Sequence, residues 1–65
     1  MNTMKFSEAI QEVLNNRCIA KVGWGDKSYW GQLLDGILVL HKPDGNYHQW
    51  IVSEGDIAGD DWFVL

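Results

Sequence analysis

Trp50-Ile51-Val52-Ser53-Glu54-Gly55-Asp56-Ile57-Ala58-Gly59-Asp60-Asp61-Trp62-Phe63-Val64-Leu65 is the stretch that decides how this chain is read. Two tryptophans bracket a Gly-containing acidic connection, and four apolar residues follow it to the end of the sequence. A free tail of that composition would leave a sticky apolar end in water, so Trp62–Leu65 is expected to be a buried strand. On this reading the 65 residues form a single domain, 1–65, closed by its last strand.

Working back from that end, Ser53–Asp61 reads as an irregular or single-turn connection, and Tyr47–Val52 as the strand before it. Pro43-Asp44-Gly45-Asn46 makes a turn. Asp35-Gly36 is a strong two-residue hairpin signal between strands Tyr29–Leu34 and Ile37–Lys42. Gly25-Asp26-Lys27-Ser28 is a further turn, after a first strand Cys18–Trp24. Phe6, Ala9, Ile10, Val13 and Leu14 fall on one stripe of an α-helix. Ser7 is the expected N-cap, and Asn15-Asn16 the stop, because Asn tolerates the left-handed backbone of a helix end. The fold class is therefore α+β: a short N-terminal helix packed on a small antiparallel sheet of about five strands.

Hairpin arithmetic predicts which side chains meet. The Asp35-Gly36 turn pairs Leu34 with Ile37, Gln32 with Val39 and Trp30 with His41. A four-residue Pro43–Asn46 loop pairs Lys42 with Tyr47, His41 with His48 and Val39 with Trp50. One face then carries Trp30, Gln32, His41, His48 and Trp50, a set of flat rings and hydrogen-bonding groups suited to a planar ligand or a partner subunit. The other carries Leu33, Leu38, Leu40 and Ile51 and is expected to receive the helix.

Composition narrows the function. A net charge of −4 argues against binding a nucleic-acid polymer, which wants a basic stripe, but leaves room for a small anion held by a few local donors. No signal peptide and no membrane-spanning run is seen, so a cytoplasmic protein is expected. Cys18 is the only cysteine, which excludes an intrachain disulfide. A core this small is marginal by itself, so oligomerisation, as a dimer or dimer of dimers, is the expected supplement. Four tryptophans, Trp24, Trp30, Trp50 and Trp62, are more than so short a chain readily buries, which reserves one or two for an interface or a ligand face. Trp62 reads as core, and the other three stay open between core and stacking platform.

Catalytic and metal readings are weaker. His41 and His48 lack an obvious third ligand, and Asp56, Asp60 and Asp61 fit no calcium-loop spacing, so no metal and no cofactor is expected. No Gly-x-Ser-x-Gly elbow surrounds Ser53, and Cys18 reads as a small core residue. Lys21 and Lys27 flank Trp24 and could neutralise a phosphate at its rim.

Three blocks carry a family likeness. Phe6-Ser7-Glu8-Ala9-Ile10 resembles a helix start Phe-Gly-Glu-Ala-Leu, and Arg17-Cys18-Ile19-Ala20-Lys21-Val22-Gly23-Trp24 resembles a strand in which Val-Ala-Arg or Val-Ala-Lys leads to Gly-Trp. Trp50-x-x-Ser53-x-x-Asp56-x-x-x-x-Asp61-Trp62 matches a closing motif at the same spacing. These blocks resemble the small phage and prophage family known through the second Thoeris anti-defence protein. The resemblance implies a sponge: a homo-oligomer that binds a cyclic signalling nucleotide of bacterial immunity, a cyclic ADP-ribose isomer or a cyclic oligonucleotide, without cleaving it. A phage-encoded member would act in the host cytoplasm. By matched position it implies Trp24, Trp50, Ser53 and Asp56 as ligand residues: a Trp face under the base, Asp56 on ribose hydroxyls, Ser53 on phosphate. Trp30 and His48 join them from the predicted sheet face, and Lys21 and Lys27 from their place beside Trp24. The alternative is a protein-interaction module using its aromatic face; a hydrolase of the same nucleotides would differ by returning them cleaved.

Overall fold

The computed structural model of the protein describes residues 2–65. Helix α1 spans Phe6–Leu14 and buries Ala9 and Val13, with Phe6 and Ile10 packed beside them. Leu14, the last residue of the expected stripe, lies exposed. The N-cap is Lys5 and not Ser7, which sits inside the first turn. The Lys5 N–H donates to Glu8 Oε1 at 3.3 Å, so the acid three residues on satisfies the entry to the helix. At the other end Asn16 takes φ 65°. Its N–H donates to the Val13 carbonyl, and that of Arg17 to the Glu12 carbonyl, both at 3.0 Å, the paired bonds of a Schellman stop.

The strands are β1 (Ile19–Lys21), β2 (Trp30–Leu34), β3 (Ile37–His41), β4 (Tyr47–Gln49) and β5 (Trp62–Val64), in the antiparallel order β4-β3-β2-β1-β5. All five are shorter than the sequence suggests, β2 and β3 by one residue each. Val22–Trp24 leaves the ladder as a single 3₁₀ turn ending on Gly25 at φ 65°. Tyr47–Val52 ends at Gln49, and Leu65 contributes only its N–H, which donates to the Cys18 carbonyl at 2.9 Å. The connection before β5 contains a short helix α2, Glu54–Ala58. The free side of β5 is met by Met4, whose backbone exchanges two hydrogen bonds with Trp62, at 2.8 and 3.2 Å.

The Asp35-Gly36 hairpin has the expected register, with Trp30 opposite His41 and Leu34 opposite Ile37. Both turn residues have positive φ, 52° and 78°, as a type I′ turn requires. The next hairpin differs by one residue. Gly45 takes φ 82°, and Lys42 N–H donates to the Asn46 carbonyl at 3.1 Å, so the loop is Pro43–Gly45 and Asn46 belongs to the ladder. His41 therefore faces Tyr47, Leu40 faces His48 and Val39 faces Gln49. This corrects the predicted pairing and turns β4 over, because side chains alternate with period two. His48 and Trp50 move to the helix side, and Tyr47 and Gln49 join Trp30 on the opposite one.

The core lies between α1 and that helix side: Ala9, Val13, Ile19, Leu40, Trp50 and Trp62, ringed by Leu33, Leu38, Trp24 and Tyr29 among others. Trp50 fits there because Gly31 has no side chain. A Cβ at Gly31 would collide with Trp50 Cζ3 and lie 2.8 Å from Cε3. Gly31→Ala should therefore destabilise by ~1–3 kcal/mol through overpacking, although alanine suits a strand better than glycine. Urea unfolding of the two proteins measures this; equal midpoints would show that the ring is free to move aside.

Candidate functional site

The residues singled out by the sequence fall into two groups on opposite sides of the sheet. The first is the closing motif. Ser53 caps α2, its Oγ accepting from the Asp56 N–H at 3.3 Å. Asp56 Oδ2 accepts in return from the Ser53 N–H at 3.1 Å and from Trp50 Nε1–H at 3.3 Å. The Asp56 carbonyl accepts from Trp62 Nε1–H at 3.1 Å. Asp61 reaches across to accept the Gly23 N–H at 3.0 Å, tying the motif to the 3₁₀ turn that carries Trp24. Every polar group named here has a partner inside the chain.

The tryptophans of this group are equally engaged. Trp50 is 5% exposed and Trp62 is 0% exposed, so neither offers a bare ring face. Trp24 is half-buried, stacked on Tyr29 with ring centroids 4.3 Å apart and set edge-on to Trp62 at 5.2 Å. Lys21 lies with its Nζ 5.5 Å from the centre of a Trp62 ring. Tyr29 and Asp61, neither of them among the predicted ligand residues, thus help to fix Trp24 in place. Asp61 stands beside Trp62 in the motif; Tyr29 gave no signal beyond its place in a strand.

His48 does not stand opposite His41. Its Nε2 pairs with Asp44 Oδ2 at 3.1 Å. Hydrogen bonds from the Asn46 N–H and from His48 hold the Asp44 carboxyl below the usual carboxylate range. His41 instead donates Nδ1–H to the Ser28 carbonyl at 2.8 Å. Among the described residues no hydrogen bond joins Ser53 to His48, so the two do not form a nucleophile and base. Burial pushes the Cys18 thiol up, which favours its protonated form at neutral pH.

The second group lies on the outer side of the sheet, which no helix covers. Trp30 stacks flat against His41, centroids 3.8 Å apart and planes 5° off parallel. Its Nε1–H donates to Gln32 Oε1 at 2.7 Å, and Cys18 Sγ donates to the same oxygen at 3.6 Å. Lys27 and Arg17 stand near this indole, on the rim of one opening. Of the predicted site residues, then, the fold brings Trp50, Ser53 and Asp56 together as a braced unit with Trp24 beside it. It brings Trp30 to Lys27 elsewhere, and leaves His48 apart from both. Arg17 was missed as a site candidate; its position right after the Asn15-Asn16 helix stop was the available signal.

Residues 4–65 match the family profile described as the Thoeris anti-defense 2-like domain, covering nearly the whole chain. No curated protein matches it.

The braced motif makes a clear expectation. Asp56→Ala should cost ~1–3 kcal/mol by leaving the buried Trp50 N–H without its acceptor. Ser53→Ala should cost ~0.5–2 kcal/mol as a lost cap. Chemical denaturation without ligand is the measurement. Stabilities within ~0.5 kcal/mol of the parent for both would return these two side chains to the class of free surface groups.

Proposed function

The chain belongs to the Thoeris anti-defense 2-like domain family, and from that premise we propose that it is a sponge, sequestering a cyclic signalling nucleotide without cleaving it. The family's role is anti-defence. The observation that carries the finer reading is the match over residues 4–65, which takes in the motif running from Trp50 to Trp62. The chemistry of the chain is consistent with holding rather than cutting. Ser53 Oγ is spent on a helix cap, His48 on Asp44, and burial favours the protonated Cys18 thiol.

The partners proposed with this reading are one cyclic nucleotide and further copies of the chain, in a dimer or a dimer of dimers. Support for self-association comes from the outer sheet side, where Leu34, Ile37, Tyr47 and Leu65 are exposed. An apolar surface of this kind beside a small core favours burial against another subunit. No helix of the described residues is long and apolar enough to cross a membrane. The protein is proposed to act in the cytoplasm, that of the host cell if phage-encoded.

The test is to incubate the protein with cyclic ADP-ribose isomers and cyclic di- and trinucleotides, remove free ligand, denature, and identify what was held. At least one compound should return chemically unchanged. Cleaved product would make the protein an enzyme, and retention of none would favour the protein-interaction module. Light scattering at micromolar protein should give at least twice the chain mass; a stable monomer would remove the shared-subunit part of the reading.

A further inference from the structure

Asp is followed by Gly twice in this chain, at Asp35-Gly36 and Asp44-Gly45, and both pairs lie exposed in hairpin turns. Such a pair is chemically labile, because the second residue has no Cβ to keep its backbone nitrogen away from the aspartate Cγ. The two turns hold their carboxyls differently. In the loop between β3 and β4, Asp44 Oδ1 accepts the Asn46 N–H at 2.8 Å, and Oδ2 pairs with His48 Nε2 at 3.1 Å. The Gly45 nitrogen is engaged as well, its N–H donating to the Lys42 carbonyl at 2.9 Å. The bonds to Asn46 and His48 also keep the Asp44 carboxyl ionised, the form from which oxygen leaves less readily. At the β2–β3 turn, among the described residues, neither the Asp35 carboxyl nor the Gly36 N–H has a hydrogen-bond partner. Asp35 already sits at φ 52°, the positive φ that type I′ and type II′ turns both need at their first central position. Turning over the Asp35–Gly36 peptide converts the first type into the second. The ψ of a type II′ turn at that position, about −120°, is the one a five-membered imide ring requires. Both types suit the twist of a hairpin, so the ring can close without unpairing β2 from β3.

We propose that Asp35 is a modification site: it isomerises spontaneously to isoaspartate in the folded protein, while Asp44 is shielded by its partners. The Gly36 nitrogen attacks Asp35 Cγ. The new C–N bond replaces the C–OH bond, and that hydroxyl leaves as water with the amide proton, giving a cyclic imide. Water then adds to the imide carbonyl that came from the Asp35 main chain and breaks its bond to nitrogen. The chain now runs through Cγ, and the former backbone carbonyl is a free carboxylate. One water leaves and one returns, so the mass is unchanged and no oxidant or cofactor takes part. The main chain gains a methylene inside the turn, next to the Leu34–Ile37 pair that sets the β2–β3 register. An exposed isoaspartyl carboxylate of this kind is the substrate class of isoaspartyl methyltransferases. The site is independent of the sponge reading.

Peptide mapping of the protein after ageing at neutral pH and physiological temperature tests this. Isoaspartate is counted by methyl transfer from a labelled donor through an isoaspartyl methyltransferase. In the folded parent it should accumulate at Asp35 about fivefold or more faster than at Asp44, since Asp44-Gly45 must first give up its bonds to Asn46, His48 and Lys42. In concentrated urea both turns are lost, and the two rates should come within about twofold of each other. His48→Leu removes one partner of Asp44, and the rate at Asp44 in the folded variant should rise about two- to fivefold. Isomerisation at Asp44 as fast as at Asp35 in the folded parent overturns the proposal. So does an absence of isoaspartate at Asp35 in the folded parent when urea produces it, because the turn then holds the nitrogen away from Cγ. A ratio that urea leaves unchanged traces the difference to the neighbouring residues and overturns the part assigned to the fold.

Discussion

Two buried indoles set the terms for the rest of this fold. An enclosed Trp N–H without an acceptor costs on the order of 1–3 kcal/mol, a large share of what so small a core supplies. Here both find their acceptors on one residue: Trp50 on the Asp56 carboxylate at 3.3 Å, Trp62 on the Asp56 carbonyl at 3.1 Å. For Asp56 to serve both, α2 must start at Ser53 and run over the two rings. That start is secured by the mutual bonds between Ser53 and Asp56. The spacing of the closing motif is thus the spacing of a brace. It joins β4 to β5, which lie at opposite edges of the sheet.

Where the sequence was informative, the chemistry was local. Asp35-Gly36 demands positive φ at both positions, and few other arrangements satisfy it. The α1 stripe and the Asn16 stop likewise follow from side chains within a turn of each other. Pro43-Asp44-Gly45-Asn46 was ambiguous for a physical reason. The same four letters allow a four-residue loop, or a three-residue loop whose Gly45 adopts the left-handed conformation. Those choices differ by one residue, and a one-residue slip exchanges the faces of β4. Gly31 held the clue, since a glycine inside a strand often marks the close approach of another group, here the Trp50 ring. The site was legible to the same extent. Spacing tied Trp50, Ser53 and Asp56 together, but linked spacing does not distinguish residues that bind each other from residues that bind a ligand. Trp30 and Lys27 were picked out for separate reasons, and only the tertiary fold brings them to one opening with Arg17.

The two sides of the sheet therefore divide their work. One is sealed by α1, α2 and the aromatic cluster, with its polar atoms satisfied internally. The other keeps flat rings, a thiol and cationic side chains at the surface, with Trp30 held rigidly by His41 and Gln32. Rigid, pre-set contact surface of this kind lowers the ordering cost of binding. It is available because the main hydrophobic cluster lies on the opposite side.

The Met4 bridge to Trp62 has a consequence for how copies of this chain can add to one another through their strands. A sheet with two bare borders can take a neighbour on each and grow without limit. In this one the β5 border is already occupied at its first residue, leaving β4, three residues long, as the open strand. Where copies add through their strands, β4 with β4 about a twofold axis is the pairing that leaves the Met4-shielded borders outermost, which favours a closed assembly over a fibre.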